Sequence, residues 1–329
     1  MTNLIARSAT SLIAAGAVLL LLTAAPAWAA AGKVWVAYFG ADSGTCGAAT
    51  SPCASFAQAV SNVAAGGEIG VLTSGDYGEV QISKSVHITN DGAGEASVHA
   101  SAGGFSVNVL AGVGDVVSLR GLVIDGAGIG AVGIRMVGGQ TGHIQNCVIR
   151  NFEASGAYGL AFDGTSGSVA QLFVSDSIVF NNGSTAESGG ILIVPGNAAT
   201  ASNAVLDRVH LENNVIGLSV KSLAASGSGA HVIVRDSVIS GNAGAGISAV
   251  TEGLPTFLVV EHTSVVNNGG TGILANGPHA TMLLDGNVVS RNGVGLSAVD
   301  GGQLISYGNN RNNNNLGADG APTGFYSPM

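Results

Sequence analysis

Between Leu172 and Val299 short hydrophobic runs alternate with polar residues at period 2, and the runs return in a fixed order. A Gly followed by Ile or Leu opens apolar-x-apolar triplets at Ile191/Ile193, Leu218/Val220, Ile247/Ala249, Ile273/Ala275 and Leu296/Ala298, preceded by Ile134/Met136 and Leu160/Phe162. Alternation sets one group of side chains on one face of an extended strand, so each triplet predicts a strand whose apolar face points inward. A second strand is marked by Val148-Ile149, Ile178-Val179, Val238-Ile239 and Val288-Val289. A third apolar column runs through Ile144, Val174, Val205, Val234, Val260 and Leu284. Asparagines punctuate the pattern at Asn182, Asn213, Asn242, Asn268, Asn292 and Asn313, spaced by 31, 29, 26, 24 and 21 residues.

Landmarks that keep their order while the period shortens are the mark of a solenoid. Three short strands per repeat, separated by Gly, Ser and Asn and lacking any helical stripe, predict an all-β chain folded as a single-stranded right-handed parallel β-helix. Asn suits a fixed bend because it tolerates left-handed backbone angles, and its amide can bond the Asn one coil away, forming a ladder. A leucine-rich repeat also uses such a ladder, but it needs Leu at fixed spacing and a helical return. Here the inward residues are mainly Val and Ile.

Residues 1–30 stand apart. Arg7, the apolar run Ser11 to Leu22 and Ala27-Trp28-Ala29 read as a positive region, a hydrophobic region and a cleavage site of a secretory signal peptide, so the expected location is secreted or periplasmic, with no membrane span after cleavage. Residues 31–115 are expected to form an N-terminal cap and the first irregular coils, 116–315 the regular coils and 316–329 a tail. Within the cap, Ser55 to Ala64 predicts a short amphipathic helix with Ser55 as N-cap and Phe56, Val60 and Val63 on one face. Such a helix would cover the open end of the core.

The 52 glycines accompany high hydrophobicity, which argues for tight turns rather than disorder. The chain has 11 Lys+Arg and 20 Asp+Glu, a net charge of -9; losing Arg7 with the signal peptide makes it -10. Scattered basic residues on an acidic chain exclude nucleic acid as the expected partner and disfavour tight binding of polyanionic sugars. Cys46 and Cys53 share one polar loop, and export predicts a disulfide between them. Cys147 is left over in a strand.

The segment WVAYFGADSGTCGAATSPCASFAQAVSNVAAGGEIGVLTSGDYG, followed by coils of the type DSVISGNAGAGIS, resembles the bacterial right-handed parallel β-helix repeat proteins of the pectin-lyase-like superfamily. The resemblance covers roughly residues 33–315. It implies the fold; the superfamily includes lyases, hydrolases, epimerases and proteins with no known activity, so it does not imply one reaction. The polygalacturonase-like motifs (N-T-D, D-D, G-H-G, R-I-K) have no counterpart here, and neither has the R-x-P-x-x-R of pectate-lyase-like enzymes.

One constellation remains. Six residues before the ladder positions lie Asp176, Asp207 and Asp236, with Arg208 and Arg235 beside them and Asn146 and His262 at the column's ends. Stacked carboxylates repel unless a cation or the arginines intervene. One reading is a calcium-holding or sugar-binding ridge; the other is outward turn residues joined by Arg–Asp pairs. No residue is assigned to catalysis, and calcium is the one cofactor the ridge suggests. Tyr158 and Phe173 are candidates for stacking on a sugar ring or for core packing. Two functions stay open: a secreted, non-catalytic β-helix that binds a polysaccharide or cell-surface glycan, and a polysaccharide lyase, hydrolase or epimerase with an atypical site. The sequence leaves the oligomeric state open.

Overall fold

The computed structural model describes residues 30–137, 141–164, 170–195, 201–222 and 228–326; residues 1–29 of the expected signal peptide lie outside them. Each coil runs through three strands. One coil uses Ala170–Ser175, Ile178–Phe180 and Gly189–Pro195, and the next begins at Ser202–Asp207. Every strand pairs in parallel with its counterpart one coil on, which among the described residues builds three sheets of 12, 10 and 9 strands. We call them sheets 1, 2 and 3 in the order the chain meets them. Strands before Val116 already join these sheets, for example Val86–Thr89 with Val116–Arg120 and Ala96–His99 with Val123–Asp125.

The predicted triplets line the core from sheet 3: Ile134, Leu160, Ile191, Leu218, Ile247, Ile273 and Leu296 stack in register, all buried. The Gly before each of these residues is there for a steric reason. A Cβ on Gly217 would lie 3.0 Å from Nδ2 of Asn242 and 2.5 Å from the Gly246 carbonyl oxygen; one on Gly190 would lie 3.0 Å from Nδ2 of Asn214. From Gly159 onward the Gly column and the Asn column are therefore two halves of one contact, each Gly making room for the asparagine of the following coil, whereas Gly133 makes room for Phe152.

The ladder is buried and continuous. Asn242 donates from Nδ2 to Asn268 Oδ1 at 2.8 Å and to the Leu211 carbonyl at 3.1 Å, while its Oδ1 accepts the Asn214 N–H at 2.9 Å. Its members are Asn182, Asn214, Asn242, Asn268, Asn292 and Asn315. Asn213 and Asn313 do not belong to it. Asn213 is exposed at a φ of 54°, whereas Asn214 is buried. The coil carrying both is thus one residue out of the expected phase, and the inward residue of its sheet 1 strand is Leu206 rather than Val205. A second row of side-chain oxygens caps N–H groups at the turn from sheet 1 to sheet 2, through Ser237, Thr263, Asn287 and Asn310.

The N-terminal end is closed by the helix Phe56–Asn62, shorter than expected because the chain is already extended at Val63 and pairs as Val63–Val71. Ser55 Oγ accepts the Gln58 N–H as N-cap, and Asp42 fixes Ser55 through its N–H and hydroxyl. Phe56 packs on Tyr77 with ring centroids 5.0 Å apart. Cys46 and Cys53 are joined by a disulfide. Cys147 is buried and its thiol is pushed up to about 11 by desolvation, so it stays protonated and inert at neutral pH.

Candidate functional site

Alternation that buries the triplets turns the intervening residues of sheet 3 outward. The outward row at its N-terminal part is polar: Gln81, Asn108 and Arg135 are register partners on three successive coils. Glu79, Val80, Gln81, Gly104, Phe105 and Asn108 line a concavity of about 380 Å³ beside that row. The Arg135 guanidinium lies 5.2 Å from the centre of the Phe105 ring, near the site's next coil. Asn108 Oδ1 is buried and has no hydrogen-bond partner. A carboxamide acceptor left so is costly, by about 1–3 kcal/mol, unless something outside the chain satisfies it.

Farther along the same face, Tyr158 meets Glu187, 29 residues on in a turn, and Lys221, 63 residues on in a strand. The Tyr158 hydroxyl donates to the Glu187 carbonyl, and the Lys221 ammonium pairs with the Glu187 carboxylate. The Lys221 side chain is 19% exposed against 78% for Glu187, so the lysine is the sheltered partner. Burial is the largest single influence on Lys221 and would lower its pKa, but Glu187 and Tyr158 together outweigh it and hold the amine above its ordinary value. Burial raises Tyr158 as well, with Lys221 opposing. Ser219 faces out beside Tyr158, its Oγ buried without a hydrogen bond of good geometry. At neutral pH this cluster consists of an ammonium and a neutral phenol, both hydrogen-bond donors. Asp163, two residues beyond the outward Ala161, is raised by burial, with Arg135 pulling it back.

The expected ridge is arranged differently from the sequence expectation. Asp176, Arg208, Asp236 and His262 occupy one column of left-handed turn positions, with φ of 51°, 52°, 49° and 48°. Asp207 and Arg235 sit on the adjoining strand column, paired with each other in register. Three carboxylates therefore do not stack; the same one-residue phase shift that exchanges Asn213 for Asn214 puts Arg208 where Asp207 was expected. Arg208 grips both Asp176 oxygens, at 2.7 and 3.1 Å, and reaches Asp207 at 2.6 Å. Arg235 holds the other Asp207 oxygen at 3.1 Å. The Arg208 bond keeps the Asp176 carboxyl below its usual range. These donors converge on guanidinium groups rather than on a common point, which does not fit a calcium site.

Among the described residues, Asp42, Cys46 and Cys53 form a close set of metal-ligand types, but both sulfurs are in the disulfide and Asp42 already accepts from Ala54 and Ser55. Phe173 is 37% exposed and stacks on His143 with centroids 4.9 Å apart, whereas Tyr158 is buried and contributes its hydroxyl rather than a ring face. Asn108, Arg135, Asp163, Glu187 and Lys221 were not legible as a site. The signal that could have found them was local: polar residues between inward apolar ones, in a chain with only 9% charged residues.

Comparison with known proteins follows this geometry. The family described as right handed beta helix region matches residues 111–316. No curated protein matches the sequence. Among solved structures, pectate lyase Pel9A is similar at 14% identity with a TM-score of 0.56, covering 90% of this chain and 79% of that one. The alginate lyase from Paenibacillus sp. str. FPU-7 is similar at 16% identity with a TM-score of 0.54, covering 82% of this chain and 94% of that one. Likeness at such identity speaks for the fold alone. With three stacked parallel sheets, a buried asparagine ladder and a family match over more than half its length, the chain belongs to the right-handed parallel β-helix family.

Proposed function

We propose that this protein is exported and binds a hydroxyl-rich glycan along the outer face of sheet 3, from the Glu79–Asn108 concavity past Arg135 towards Tyr158 and Lys221. The observation that carries this is the buried, unpartnered Asn108 Oδ1 at a polar concavity, next to further donors and acceptors on Gln81, Glu79 and Arg135. A sugar presents adjacent hydroxyls that both donate and accept, the chemistry such a row satisfies. The names of the structurally similar pectate and alginate lyases support a polysaccharide partner, and the disulfide supports an oxidising compartment. The glycan is assigned to this face rather than to the Asp176–Asp236 ridge because two of the ridge carboxylates, Asp176 and Asp207, are already held by Arg208 and Arg235. Among the described residues no helix is long and apolar enough to cross a membrane.

A second reading rests on Asp163, Tyr158 and Lys221: a polysaccharide lyase, hydrolase or epimerase drawing its acid and base from that cluster. Binding is favoured over proton abstraction because Lys221 is held in its charged form and Tyr158 in its neutral one, leaving neither ready as a base. Calorimetry against a panel of neutral and uronate oligosaccharides, with parallel ultraviolet detection of unsaturated products and reducing ends, tests both. Binding without turnover, weakened about tenfold or more by Asn108→Ala and by Arg135→Ala, is the expected result. Turnover that Lys221→Met abolishes would replace the binding role with the catalytic one, and no binding to any glycan would remove both.

A further inference from the structure

The outer face of sheet 1 differs from the other two. Phe173, Val205, Ile233, Val259, Leu283 and Ile305 are register partners on six successive coils and form an uninterrupted outward apolar stripe. Phe173 and Ile233 are 37% and 38% exposed, and the other four are partly exposed. The corresponding row of sheet 3 is broken by Ser219, Ser248 and Ser297, and that of sheet 2 by Arg150, Glu212 and Ser240. Strands such as His231-Val232-Ile233-Val234 and Thr281-Met282-Leu283-Leu284 are therefore apolar on both faces, the composition of strands covered on both sides.

Five of the six members are aliphatic and Phe173 at one end already stacks on His143, so the stripe suits a protein surface better than a sugar ring. Six coils at about 4.8 Å and a width of about five residues at about 3.3 Å give a flat face of roughly 29 by 17 Å. Two such faces bury on the order of 1,000 Å² together, the lower limit for a specific interface. The charged row along one side, in which Asp207 and Arg235 already pair within the chain, is also compatible with a second copy. In coil order it reads Ser175, Asp207, Arg235, Glu261 and Asp285. A two-fold axis parallel to the strands, midway between Asp207 and Arg235, sets Asp207 against Arg235 of the other copy, twice by symmetry. The same operation sets Ser175 against Glu261 and Gln145 against Asp285, so no like charges meet. Moving the axis by one coil, between Arg235 and Glu261, would oppose Asp207 to Asp285.

We propose that two copies of this chain associate face to face through sheet 1, as a weak symmetric dimer centred on Val205 and Ile233. This leaves the sheet 3 face of each copy open to ligand. Sedimentation velocity of the full exported chain over a wide concentration range tests the pairing. The wild type is expected to move from monomer to dimer with a midpoint in the micromolar range. Ile233→Glu should raise that midpoint at least tenfold with an unchanged circular dichroism spectrum, because the side chain points away from the core. Ile178→Glu, which alters an isoleucine 39% exposed on sheet 2, should leave the midpoint unchanged. A wild-type chain that stays monomeric at all concentrations, or a dimer insensitive to Ile233→Glu, overturns the proposal. A monomer that instead floats with phosphatidylcholine vesicles, dependent on Ile233, would give the face to a lipid surface and also overturn it.

Discussion

Two adjacent asparagines offer a direct test of the ladder. Asn214 is 2% exposed; its Nδ2 donates to the Val179 carbonyl at 2.9 Å, and its Oδ1 accepts from the N–H and the Nδ2 of Asn182 at 3.0 and 2.9 Å. Asn214→Ala leaves the Asn182 N–H buried without its acceptor and takes a donor from the Val179 carbonyl. Each orphaned buried group costs about 1–3 kcal/mol, so the variant should lose about 3–5 kcal/mol once the small void is included. Asn213 lies next to it but is exposed, and its side chain serves only to tolerate a φ of 54°. Asn213→Ala should cost about 1 kcal/mol, the penalty of a left-handed alanine. Thermal and urea unfolding followed by circular dichroism read both. At about 2 °C per kcal/mol for a chain of this size, the shifts expected are about 6–10 °C for Asn214→Ala and about 2 °C for Asn213→Ala. Equal losses, or the larger one at Asn213, would refute the ladder register described above.

Asp125 is buried, and although burial would raise its pKa, the Ala127 N–H, the Arg150 guanidinium and the Asn151 amide outweigh that and hold its carboxyl below the ordinary 3.8. A depressed folded pKa gives stability that is present above the unfolded value and lost as pH falls through the folded one. Asp125→Asn should accordingly cost about 1–3 kcal/mol at pH 7 and progressively less as the pH is lowered below 3.8, which denaturant titration across that range would show. Replacing both Cys46 and Cys53 by serine opens a short loop and should cost about 2.5 kcal/mol on loop-closure grounds, with the losses confined to the capped end in hydrogen exchange. Millimolar calcium should leave the melting temperature unchanged to within about 1 °C, because Arg208 and Arg235 already neutralise Asp176 and Asp207; a larger rise would reinstate the metal ridge.

Much of the fold was legible because burial imposes periodicity. The triplets from Ile134/Met136 to Leu296/Ala298 face inward as their alternation requires, and the Gly before them and the Asn beyond them recur because one occupies the space the other needs. The capping helix and the Cys46–Cys53 pair were readable too, since both depend on residues close in sequence. Where two asparagines stood side by side, local pattern had no means of choosing between them. A one-residue slip moves every side chain of a strand to the opposite face, and so Val205 was taken for core and Asp207 for the turn column. Local pattern could have flagged single outward polar residues such as Asn108 and Arg135, but not which of them come together as a site. Tyr158, Glu187 and Lys221 meet only because the chain winds back over itself, and which residue lies above which depends on coil lengths that vary from 32 to 23 residues along the ladder. The sequence by itself determined that the chain winds and which side chains it buries; the tertiary structure decided the vertical register between coils, and with it which outward groups become neighbours, because that register is set by hydrogen bonds between strands and not by any period within one.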